Sequence, residues 1–468
     1  MEPYKSDEEI KSKLFSPVVN FYTGKSVFIT GATGFLGTVL LEKLMFTCAH
    51  NIKNIYILIK PTDGQSIDEK MSKFFDSRAF ERLREHNPNF RSKIIPLTGD
   101  ITKKSIGLSE NDIFILRKEV SVVFHSAADT SFQLSLSEAI IINTKATEEL
   151  LKICKDMHQL KAFVYVSTAY SNCNRPIIDE KVYPTDVSLE TVYELLEYSK
   201  SDKLIEFLFN GRPNAYTYSK ALSEELVQNY GNIIPSIIIR PSIITSSIKE
   251  PYPGWLSGWN GLNQVILSGM KGYLRCWFAD DSCIADTIPV DYTANVMIVS
   301  AWDAHERRLK NDKQLKVFNC CSGLQNPIDT GNMMSICLEH NKKHEKDKSK
   351  ANTMFIIRKN FYVYFFYFLV LHLIPALIID VFYFLLGREM LMCTNLKKIK
   401  RFSSILKVFC FNQFLFIDKN VRRLHQALNE TDKVLFDFDV RNIQWRVYLK
   451  DFVIALKEYD KTSRTVKI

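Results

Sequence analysis

The sequence lacks the cysteine spacing that zinc sites and disulfide frameworks require. Its ten cysteines are scattered over 468 residues, with one adjacent pair (Cys320 and Cys321) and no CxxC. Close, regular spacing is the signature of structural zinc sites and of disulfide-rich secreted domains. We therefore predict no metal site, and we expect a reducing compartment.

The N-terminal segment lacks an apolar core. It reads MEPYKSDEEIKSK and is dominated by charged side chains. A secretory signal peptide needs an apolar stretch of several residues, so we expect no such signal before the fold.

The overall amino-acid composition is that of a globular protein with an ample hydrophobic core. Hydrophobic residues make up 46% of the chain and charged residues 24%, and the net charge is +9. A basic balance suits anionic partners such as nucleotides, phosphorylated cofactors or a lipid surface. We expect partners of these kinds and no nucleic acid, and the oligomeric state is left open.

Short β-branched runs alternate with helical patterns from Ser26 to about Asn319. Near-continuous apolar runs of this kind are typical of strands buried on both faces, and the stretches between them are long enough for crossover helices. The alternation predicts an α/β fold with a doubly wound parallel sheet of Rossmann type. The predicted strands are 27–30, 54–60, 93–100, 120–127, 161–167 and 236–242.

Composition divides the chain into four parts. An N-terminal extension, 1–25, precedes the dinucleotide-binding domain, 26–337. The run LEHNKKHEKDKSKAN, 338–352, is polar and charged, and it predicts a linker or an exposed loop. Residues 353–468 form a C-terminal region that we expect to be mainly helical.

The C-terminal region contains an apolar run, 361–386, interrupted only by His372, Pro375 and Asp380. As a helix the run would be about 39 Å long, enough to cross the core of a bilayer. Basic residues on both sides suit lipid headgroups. We expect a membrane-associated segment, either a kinked span or a re-entrant hairpin, and the alternative is a buried core helix.

The stretch VFITGATGFLG places three glycines, Gly31, Gly34 and Gly37, between a predicted strand and a predicted helix. In this setting the glycines permit a tight turn, a close approach of the backbone to a pyrophosphate, and close packing of the helix. We therefore predict a dinucleotide site. The residues expected to contact the dinucleotide here are Thr30, Gly31, Thr33, Gly34, Phe35 and Gly37.

The end of the second strand decides which dinucleotide is preferred. NAD-binding proteins usually carry an acid there, whereas this strand ends in Lys60, a cation that suits the 2′-phosphate of NADP. Asp63 lies three residues further on and would weaken the preference. Asp100, in TGD after the third strand, and Ala127, in HSAAD after the fourth, are expected to line the same site, although each stretch alone also suits a simple turn.

Tyr216 and Lys220 lie four residues apart at the start of a predicted helix, so both point the same way. An ammonium beside a phenol lowers the pKa of the phenol, which would let it exchange protons. Tyr56 and Lys60 show the same spacing, but in a predicted strand they would stand about 13 Å apart. We predict that Tyr216 and Lys220 are catalytic. A strand-end hydroxyl in STAYSN would complete the site, with Thr168 favoured over Ser167.

Three features follow one another along the chain: the glycine turn, the strand-end hydroxyl and the YxxxK pair. This order resembles that of the extended short-chain dehydrogenase/reductase superfamily. Several longer stretches resemble one of its branches, the fatty acyl-CoA reductases, and the insect-type members come closest. The final FDFDVRNIQWRVY resembles the C-terminal male-sterility region of that family. The other similar stretches are IYILIKPTDGQS, FHSAADTSF, VYVSTAYSN, YTYSKALSEE, IIIRPSII, DTIPVD and FNCCSGLQNPI.

The resemblance implies reduction of a long-chain fatty acyl-CoA to a primary alcohol by two hydrides from NADPH. Thr168 and Tyr216 would bind the thioester oxygen, and the thiohemiacetal would lose CoA to give an aldehyde. The aldehyde would take a second hydride and a proton from Tyr216, while Lys220 would hold the nicotinamide ribose. Residues 254–274 suit either a wall of the acyl tunnel or plain core packing. Family members usually carry arginine where Lys60 stands.

Two alternative functions remain open. The first is a sterol or other small-alcohol dehydrogenase on the same fold, and the second is an inactive lipid- or NADP-binding module. The resemblance also implies an endoplasmic reticulum membrane with the catalytic domain in the cytosol, or alternatively the peroxisomal membrane. Because every dinucleotide motif lies upstream, a chain ending near Ser349 is expected to keep its fold and to lose most membrane association.

Overall fold

The computed structural model describes residues 15–198, 207–258, 261–344, 354–389 and 392–465. Its centre is a seven-stranded sheet of order β11-β7-β5-β4-β1-β2-β3, in which every neighbouring pair is parallel. The described strands are β1 Ser26–Thr30, β2 Ile55–Ile59, β3 Ile94–Thr98, β4 Val120–His125, β5 Ala162–Val166, β6 Ile177–Ile178, β7 Ser236–Pro241, β8 Ile243–Thr245, β9 Cys276–Phe278, β10 Thr287–Pro289, β11 Lys316–Cys320, β12 Ile356–Arg358 and β13 Leu415–Phe416.

Helices connect and cover the strands of the sheet. They are α1 Pro17–Phe21, α2 Phe35–Cys48, α3 Ile67–Phe75, α4 Glu81–His86, α5 Glu110–Glu119, α6 Leu136–Ala139, α7 Ala146–Lys155, α8 Leu189–Tyr198, α9 Ala215–Tyr230, α10 Gly261–Met270, α11 Val290–Leu309, α12 Thr330–His344, α13 Phe361–Phe368, α14 Ile374–Leu385, α15 Met392–Phe411, α16 Lys419–Gln426, α17 Glu430–Leu435 and α18 Trp445–Thr465. A π-helical turn, Ile140–Lys145, joins α6 to α7, and another, Leu369–Leu373, joins α13 to α14.

The sheet is doubly wound because alternate residues of its strands enter two different cores. Val27 and Ile29 of β1 belong to a core covered by α2 and α11. Phe28, between them, belongs to a second core on the opposite face, together with residues of α5, α7 and α9. Such alternation follows from the period of two in a strand, and it explains why strands buried on both faces are apolar throughout. The predicted doubly wound parallel sheet is confirmed.

The six predicted strands coincide with β1, β2, β3, β4, β5 and β7 to within about two residues at each end. The edge strand β11 was not predicted as a strand. Its sequence, KVFNC, is short and ends in polar and small residues, so periodicity alone does not distinguish it from a loop.

The predicted linker 338–352 is partly helical. Helix α12 continues to His344, and Asn341 within it is buried and donates a hydrogen bond to the Met270 carbonyl oxygen at 3.1 Å. The charges of this stretch therefore lie on the solvated face of a helix, a pattern that a charge count cannot separate from a loop. The rest of the predicted linker, 345–352, lies outside the described residues.

The described part of the C-terminal region shares its core with the rest of the fold. Leu406 of α15, Leu424 of α16 and Phe452 of α18 belong to the same hydrophobic cluster as β1 and α2. The described part of the N-terminal extension is also attached to this body, because the Tyr22 hydroxyl donates to the Ile298 carbonyl oxygen at 2.9 Å. Residues 1–14 of that extension lie outside the described residues.

The apolar run forms a single helical segment, Phe361–Leu385, that is long and apolar enough to cross a membrane by length and composition alone. Pro375 stands near the start of α14, directly after the π-helical turn. Proline lacks an N–H and disrupts the regular helical hydrogen bonds, which accounts for the irregular turn at this place. Only 17% of the most apolar window is buried, so the alternative of a buried core helix is wrong.

Candidate active site

The glycine turn after β1 forms a cradle in which side chains have no room. Gly31 has a φ of +75°, and a Cβ on it would lie 2.7 Å from the Ala127 nitrogen. A Cβ on Gly37 would lie 2.0 Å from the Gly31 carbonyl oxygen. Gly34 precedes α2, whose N-terminus has no side-chain cap, so its first N–H groups remain for an anion. These features fit the pyrophosphate of a dinucleotide.

Behind this turn, the buried His125 at the end of β4 is hydrogen-bonded to Thr30 at the end of β1. The Thr30 hydroxyl lies 2.7 Å from Nδ1 of His125, and the Thr147 hydroxyl lies 3.0 Å from Nε2. Burial, together with the nearby charge of Lys220, lowers the pKa of His125 to about 3. His125 is therefore neutral in the folded protein. His125 was not predicted as a functional residue, although a polar residue that ends an apolar strand is a usable signal.

Two of the predicted cofactor residues meet just after the ends of β2 and β3. The Lys60 ammonium lies 3.2 Å from a carboxylate oxygen of Asp100. Despite partial desolvation, hydrogen bonds from Thr102 and Lys60 lower the pKa of Asp100. A second cation, Lys70, donates to the Lys60 carbonyl oxygen at 2.8 Å and so stands at the same strand end. Asp63 is exposed nearby.

Tyr216 and Lys220 lie on the first turns of α9, as the spacing predicts. The Tyr216 phenol is hydrogen-bonded to the Thr168 side chain, and burial raises its pKa while that bond lowers it. Lys220 is buried and donates to the Val166 carbonyl oxygen at 2.8 Å and to the Tyr165 hydroxyl at 3.3 Å. Burial lowers the pKa of Lys220 to about 7, against the opposing effect of Glu224.

Ser167 faces away from this pair. Its hydroxyl donates to Glu224 at 2.5 Å, and Glu224 in turn accepts two hydrogen bonds from Arg240, at 2.8 and 2.6 Å. Both charged side chains are almost completely buried. A buried carboxylate needs such partners, because leaving it unpaired would be costly. Ser167 is thus a partner of Glu224, and Thr168 is the hydroxyl beside Tyr216.

The π-helical turn Ile140–Lys145 carries a further polar residue that the sequence analysis missed. The Asn143 amide donates to the Asp129 carbonyl oxygen and to the Ser219 hydroxyl, each at 3.1 Å, and its oxygen accepts the Asp129 N–H at 3.0 Å. Asn143 therefore joins the loop after β4 to α9. Only the irregular turn, which the sequence does not show, brings it into this position.

The C-terminal region reaches Tyr216 through aromatic contacts. The Phe132 ring lies 6.0 Å from the Tyr216 ring and 5.4 Å from the ring of Phe409 on α15. Tyr170 packs edge-on against the same Phe409, at 5.2 Å, and against Phe416, at 5.3 Å. Several apolar residues of the 254–274 block belong to the main core, and one of them, Trp255, stacks on Phe35 at 5.2 Å. Part of that block is therefore core packing at the glycine turn.

The C-terminal motif that ends in WRVY is hydrogen-bonded to the reductase part of the chain, residues 26–337. The Trp445 indole nitrogen donates to the Asn326 side-chain oxygen at 3.0 Å, and the Asn326 amide donates to the Val440 and Ile443 carbonyl oxygens at 2.8 and 2.9 Å. The Tyr448 hydroxyl donates to the Ser246 carbonyl oxygen at 2.8 Å. Two distant sequence motifs are thus one structural unit.

The strand order and the glycine cradle define a Rossmann fold of the short-chain dehydrogenase/reductase kind with a nicotinamide-dinucleotide site. Solved structures share the fold. The reductase domain of a nonribosomal peptide synthetase from Mycobacterium tuberculosis has a TM-score of 0.64 at 17% identity, covering 97% of this chain and 96% of that one. The terminal R domain of the myxalamid pathway has a TM-score of 0.61 at 16% identity, covering 96% of each chain.

Sequence comparison identifies the family. Two family models described as male sterility protein match residues 29–297 and 371–460. Fatty acyl-CoA reductase 1 of Xenopus laevis is 35% identical over 94% of this chain and 86% of its own length. The Homo sapiens protein of the same name is 34% identical over the same shares, and fatty acyl-CoA reductase 2 of Mus musculus is 35% identical over 95% and 86%. The chain belongs to the fatty acyl-CoA reductase family.

Proposed function

We propose that this protein reduces long-chain fatty acyl-CoA to the primary alcohol with two NADPH per product. The observation that carries the proposal is the meeting of Thr168, Tyr216 and Lys220 beside the glycine cradle in a member of this family. Bound NADPH would supply the hydride in both reductions. The chain itself has to bind the carbonyl oxygen, hold the substrate in place and provide protons.

The two hydroxyls of the site would act on the carbonyl oxygen. The Thr168 and Tyr216 hydroxyls lie within hydrogen-bond distance of each other. A carbonyl oxygen that replaced their mutual bond would accept from both hydroxyls, which would stabilise the negative charge that develops there. After CoA leaves the thiohemiacetal, the aldehyde oxygen would occupy the same position. Tyr216 is neutral because burial raises its pKa, which keeps its proton available for transfer to the alkoxide.

Lys220 would hold the ribose next to the nicotinamide and assist the tyrosine. Its ammonium is fixed by the Val166 carbonyl oxygen and keeps further donors for a hydroxyl group. With a pKa of about 7, Lys220 can lose or regain a proton near neutral pH. That property suits a residue that resupplies a proton to Tyr216 between the two reductions.

We infer a preference for NADPH over NADH from the cations at the end of β2. Lys60 pairs with Asp100 at 3.2 Å, and Lys70 stands beside the Lys60 carbonyl. A 2′-phosphate would offer Lys60 a doubly charged partner in place of one carboxylate. The exposed Asp63 would moderate the preference.

We also infer membrane association through the apolar segment Phe361–Leu385, with the reductase part in the cytosol beside its NADPH. The endoplasmic reticulum is our proposed location, and the peroxisomal membrane is the alternative. Fourteen large apolar side chains of the segment are exposed. Soluble monomers rarely expose contiguous apolar patches larger than a few hundred Å².

The alternatives are less well supported. A sterol or other small-alcohol dehydrogenase could use the same three residues, but no observation in the described chain favours it. An inactive binding module would not need a buried lysine whose pKa is lowered to about 7 beside a tyrosine and a threonine.

The proposed activity is tested by incubating the purified full-length protein with NADPH and a panel of acyl-CoAs of different chain length. Mass spectrometry should detect the fatty alcohol, with two NADPH consumed for each alcohol formed. Accumulation of free aldehyde with one NADPH consumed would overturn the two-step proposal. Oxidation of a sterol or a small alcohol in the absence of any acyl-CoA reduction would favour the alternative.

A further inference from the structure

The apolar helix, Phe361–Leu385, presents one inward stripe and a broad outward apolar face. Every fourth residue from Tyr364 to Asp380 lies against the protein and is buried or partly buried. His372 and Asp380, the two polar residues of the run, both belong to this inward stripe. The outward face is made of exposed large apolar side chains: Phe361, Tyr362, Phe365, Phe366, Val370, Ile374, Leu377, Ile378, Val381, Phe382, Phe384 and Leu385.

The middle of the apolar helix is fixed to the reductase part. His372 accepts hydrogen bonds at Nε2 from the backbone N–H groups of Arg275 and Cys276, at 3.1 and 3.2 Å. About two helical turns away, the Tyr364 ring stacks on Phe278 at 5.0 Å. Cys276 and Phe278 belong to β9, so the helix lies along the surface of the folded body.

The second half of the helix is fixed as well. The two Asp380 carboxylate oxygens accept the backbone N–H groups of Met392 and Cys393, each at 2.9 Å. Those N–H groups open α15, so the acid of the apolar run serves as the anionic cap of the next helix. The apolar helix and α15 therefore form one connected surface.

Helix α15 brings positive charge to this surface. Lys397, Lys398, Lys400 and Arg401 are all exposed, and the helix contains no acidic residue. A cluster of four cations beside a large apolar face is complementary to anionic phospholipid headgroups above acyl chains.

We propose that the apolar helix and α15 insert side by side into one leaflet of an anionic phospholipid membrane, with the apolar helix in the plane of the leaflet rather than across the bilayer. A helix that crossed the bilayer would carry its midpoint, His372, into the hydrocarbon together with the strand β9 to which it is bonded. Edge strands and loops do not tolerate that environment, because their polar backbone groups lose their partners. The inward placement of His372 and Asp380 also keeps the imidazole and the carboxylate of the run away from the lipid-facing side.

The same arrangement places the catalytic site next to the leaflet. Helix α15 starts at the Asp380 cap and ends near Phe409, whose ring packs on Phe132 beside Tyr216. This inference deepens the proposed membrane association and rests on it, but it does not depend on which substrate is reduced.

The lipid preference is tested by flotation of the full-length protein with vesicles of phosphatidylcholine alone or mixed with phosphatidylserine. The triple variant Lys397→Glu/Lys398→Glu/Lys400→Glu should bind the mixed vesicles about tenfold or more weakly than the wild type. The matched variant Lys103→Glu/Lys104→Glu/Lys118→Glu makes the same charge change at exposed positions of the reductase part. Equal losses in both variants, or equal binding of wild type to both kinds of vesicle, would overturn the assignment to α15.

The topology is tested with Lys359→Cys and Arg388→Cys in sealed microsomes, because both residues flank the apolar helix and lie outside its lipid-facing side. Both residues are exposed and stand at opposite ends of the apolar helix. A membrane-impermeant maleimide added outside should label both cysteines above the wild-type background before detergent is added. Protection of one end until detergent is added would show a span and overturn the in-plane arrangement. Failure to bind vesicles, with self-association through this face instead, would also overturn it.

Alcohol formation in detergent by the same preparations separates this inference from the proposed function. Protein that binds membranes as described but forms no alcohol would refute only the enzymatic proposal. Protein that forms alcohol and yet spans the membrane would refute only the in-plane arrangement.

Discussion

At the residue scale, burial acts in opposite directions on the two side chains that α9 brings together. It raises the pKa of the Tyr216 phenol and lowers the pKa of the Lys220 ammonium to about 7. Both changes favour the neutral form of the group, because a low-dielectric environment penalises charge. The tyrosine is thereby kept as a proton donor, and the lysine becomes able to exchange a proton near neutral pH.

Tyr216→Phe should reduce alcohol formation by about 100-fold or more, because the variant has no proton to donate. NADPH binding, followed by fluorescence titration, should stay close to wild type. Tyr56→Phe is the matched control, since Tyr56 has the same YxxxK spacing but lies on β2 and donates to Glu119 at 2.9 Å. Equal turnover in wild type and Tyr216→Phe would remove Tyr216 from the mechanism.

Lys60→Asp should weaken NADPH binding by about tenfold or more while changing NADH binding much less. The substitution places a repelling charge where a 2′-phosphate is proposed to lie, next to Asp100. Dissociation constants for both cofactors measure the effect, and Lys103→Asp controls for the change in net charge. If both cofactors lose affinity equally, Lys60 does not discriminate between them.

His125 should make the folded state sensitive to acid. Because the folded-state pKa is about 3 and the ordinary value is 6.5, the unfolded chain binds a proton first as the pH falls below 6.5. Between pH 6.5 and 5 this residue alone should cost about 2 kcal/mol of unfolding free energy. Urea unfolding of wild type and His125→Gln at several pH values measures it. The variant should lose less stability over this interval, and parallel curves would contradict the assignment.

Sequence reasoning succeeded for residues whose spacing encodes a local geometry. Gly31 and Gly37 follow a strand at fixed offsets, and Tyr216 and Lys220 share one helix, so each pair is visible in a single short stretch. His125 and Asn143 were missed because their partners, Thr30 and Ser219, are far away in the chain and meet them only in the fold. Ser167 was predicted as a site residue, but its hydroxyl donates a hydrogen bond to Glu224. The buried Glu224 carboxylate is distant in the chain, so the sequence does not show this bond.

At the element scale, α15 connects the exposed apolar helix with the reductase part. Its N-terminus is capped by Asp380, its middle is basic, and its last turn places Phe409 and Phe411 against the folded body. The two phenylalanines have different neighbours: Phe409 contacts Phe132 and Tyr170, whereas Phe411 contacts Phe278 of β9 at 4.6 Å. Only Phe409 is therefore placed to influence a substrate bound beside Tyr216.

Phe409→Ala should lower kcat/KM for long-chain acyl-CoA by about two- to tenfold, as expected for the loss of one aromatic contact. The variant should affect short-chain acyl-CoA less, since a short chain would not extend far from the Tyr216 hydroxyl. Phe411→Ala, on the same helix turn, is the matched control and should leave the chain-length profile unchanged. The same shift in both variants would indicate a general loosening of α15 rather than a contact with substrate.

The sequence predicts an element least well when its residue pattern is typical of two different kinds of local structure. A run of charges is equally typical of a loop and of the solvated face of a helix, and α12 shows the second case at its C-terminal end. An apolar run of 26 residues suits both a span and a surface helix. Only the hydrogen bonds of His372 and Asp380 distinguish them.

At the scale of the whole molecule, the division into a reductase domain and a C-terminal region does not correspond to two cores. Tyr448, Phe452 and Leu456 of α18 are buried in the cluster that also contains Val27 of β1. Helix α18 packs along α12, and Tyr448 is bonded to Ser246. Composition changes abruptly after residue 352, but contacts cross that boundary throughout, so sequence composition overstated the independence of the two parts.

A chain ending near Ser349 should therefore fail to fold stably and should not bind NADPH, contrary to the sequence-based expectation. Removing α18 would expose the faces of α10 and α12 against which it packs. A milder test in the full-length protein is Phe452→Ala, which should cost about 3–5 kcal/mol because Phe452 is fully buried. Val447→Ala, at an exposed position of the same helix, should stay within about 0.5 kcal/mol of wild type. Urea unfolding monitored by circular dichroism measures both substitutions. A stable, NADPH-binding truncated chain, together with a small effect of Phe452→Ala, would show that the reductase part folds on its own after all.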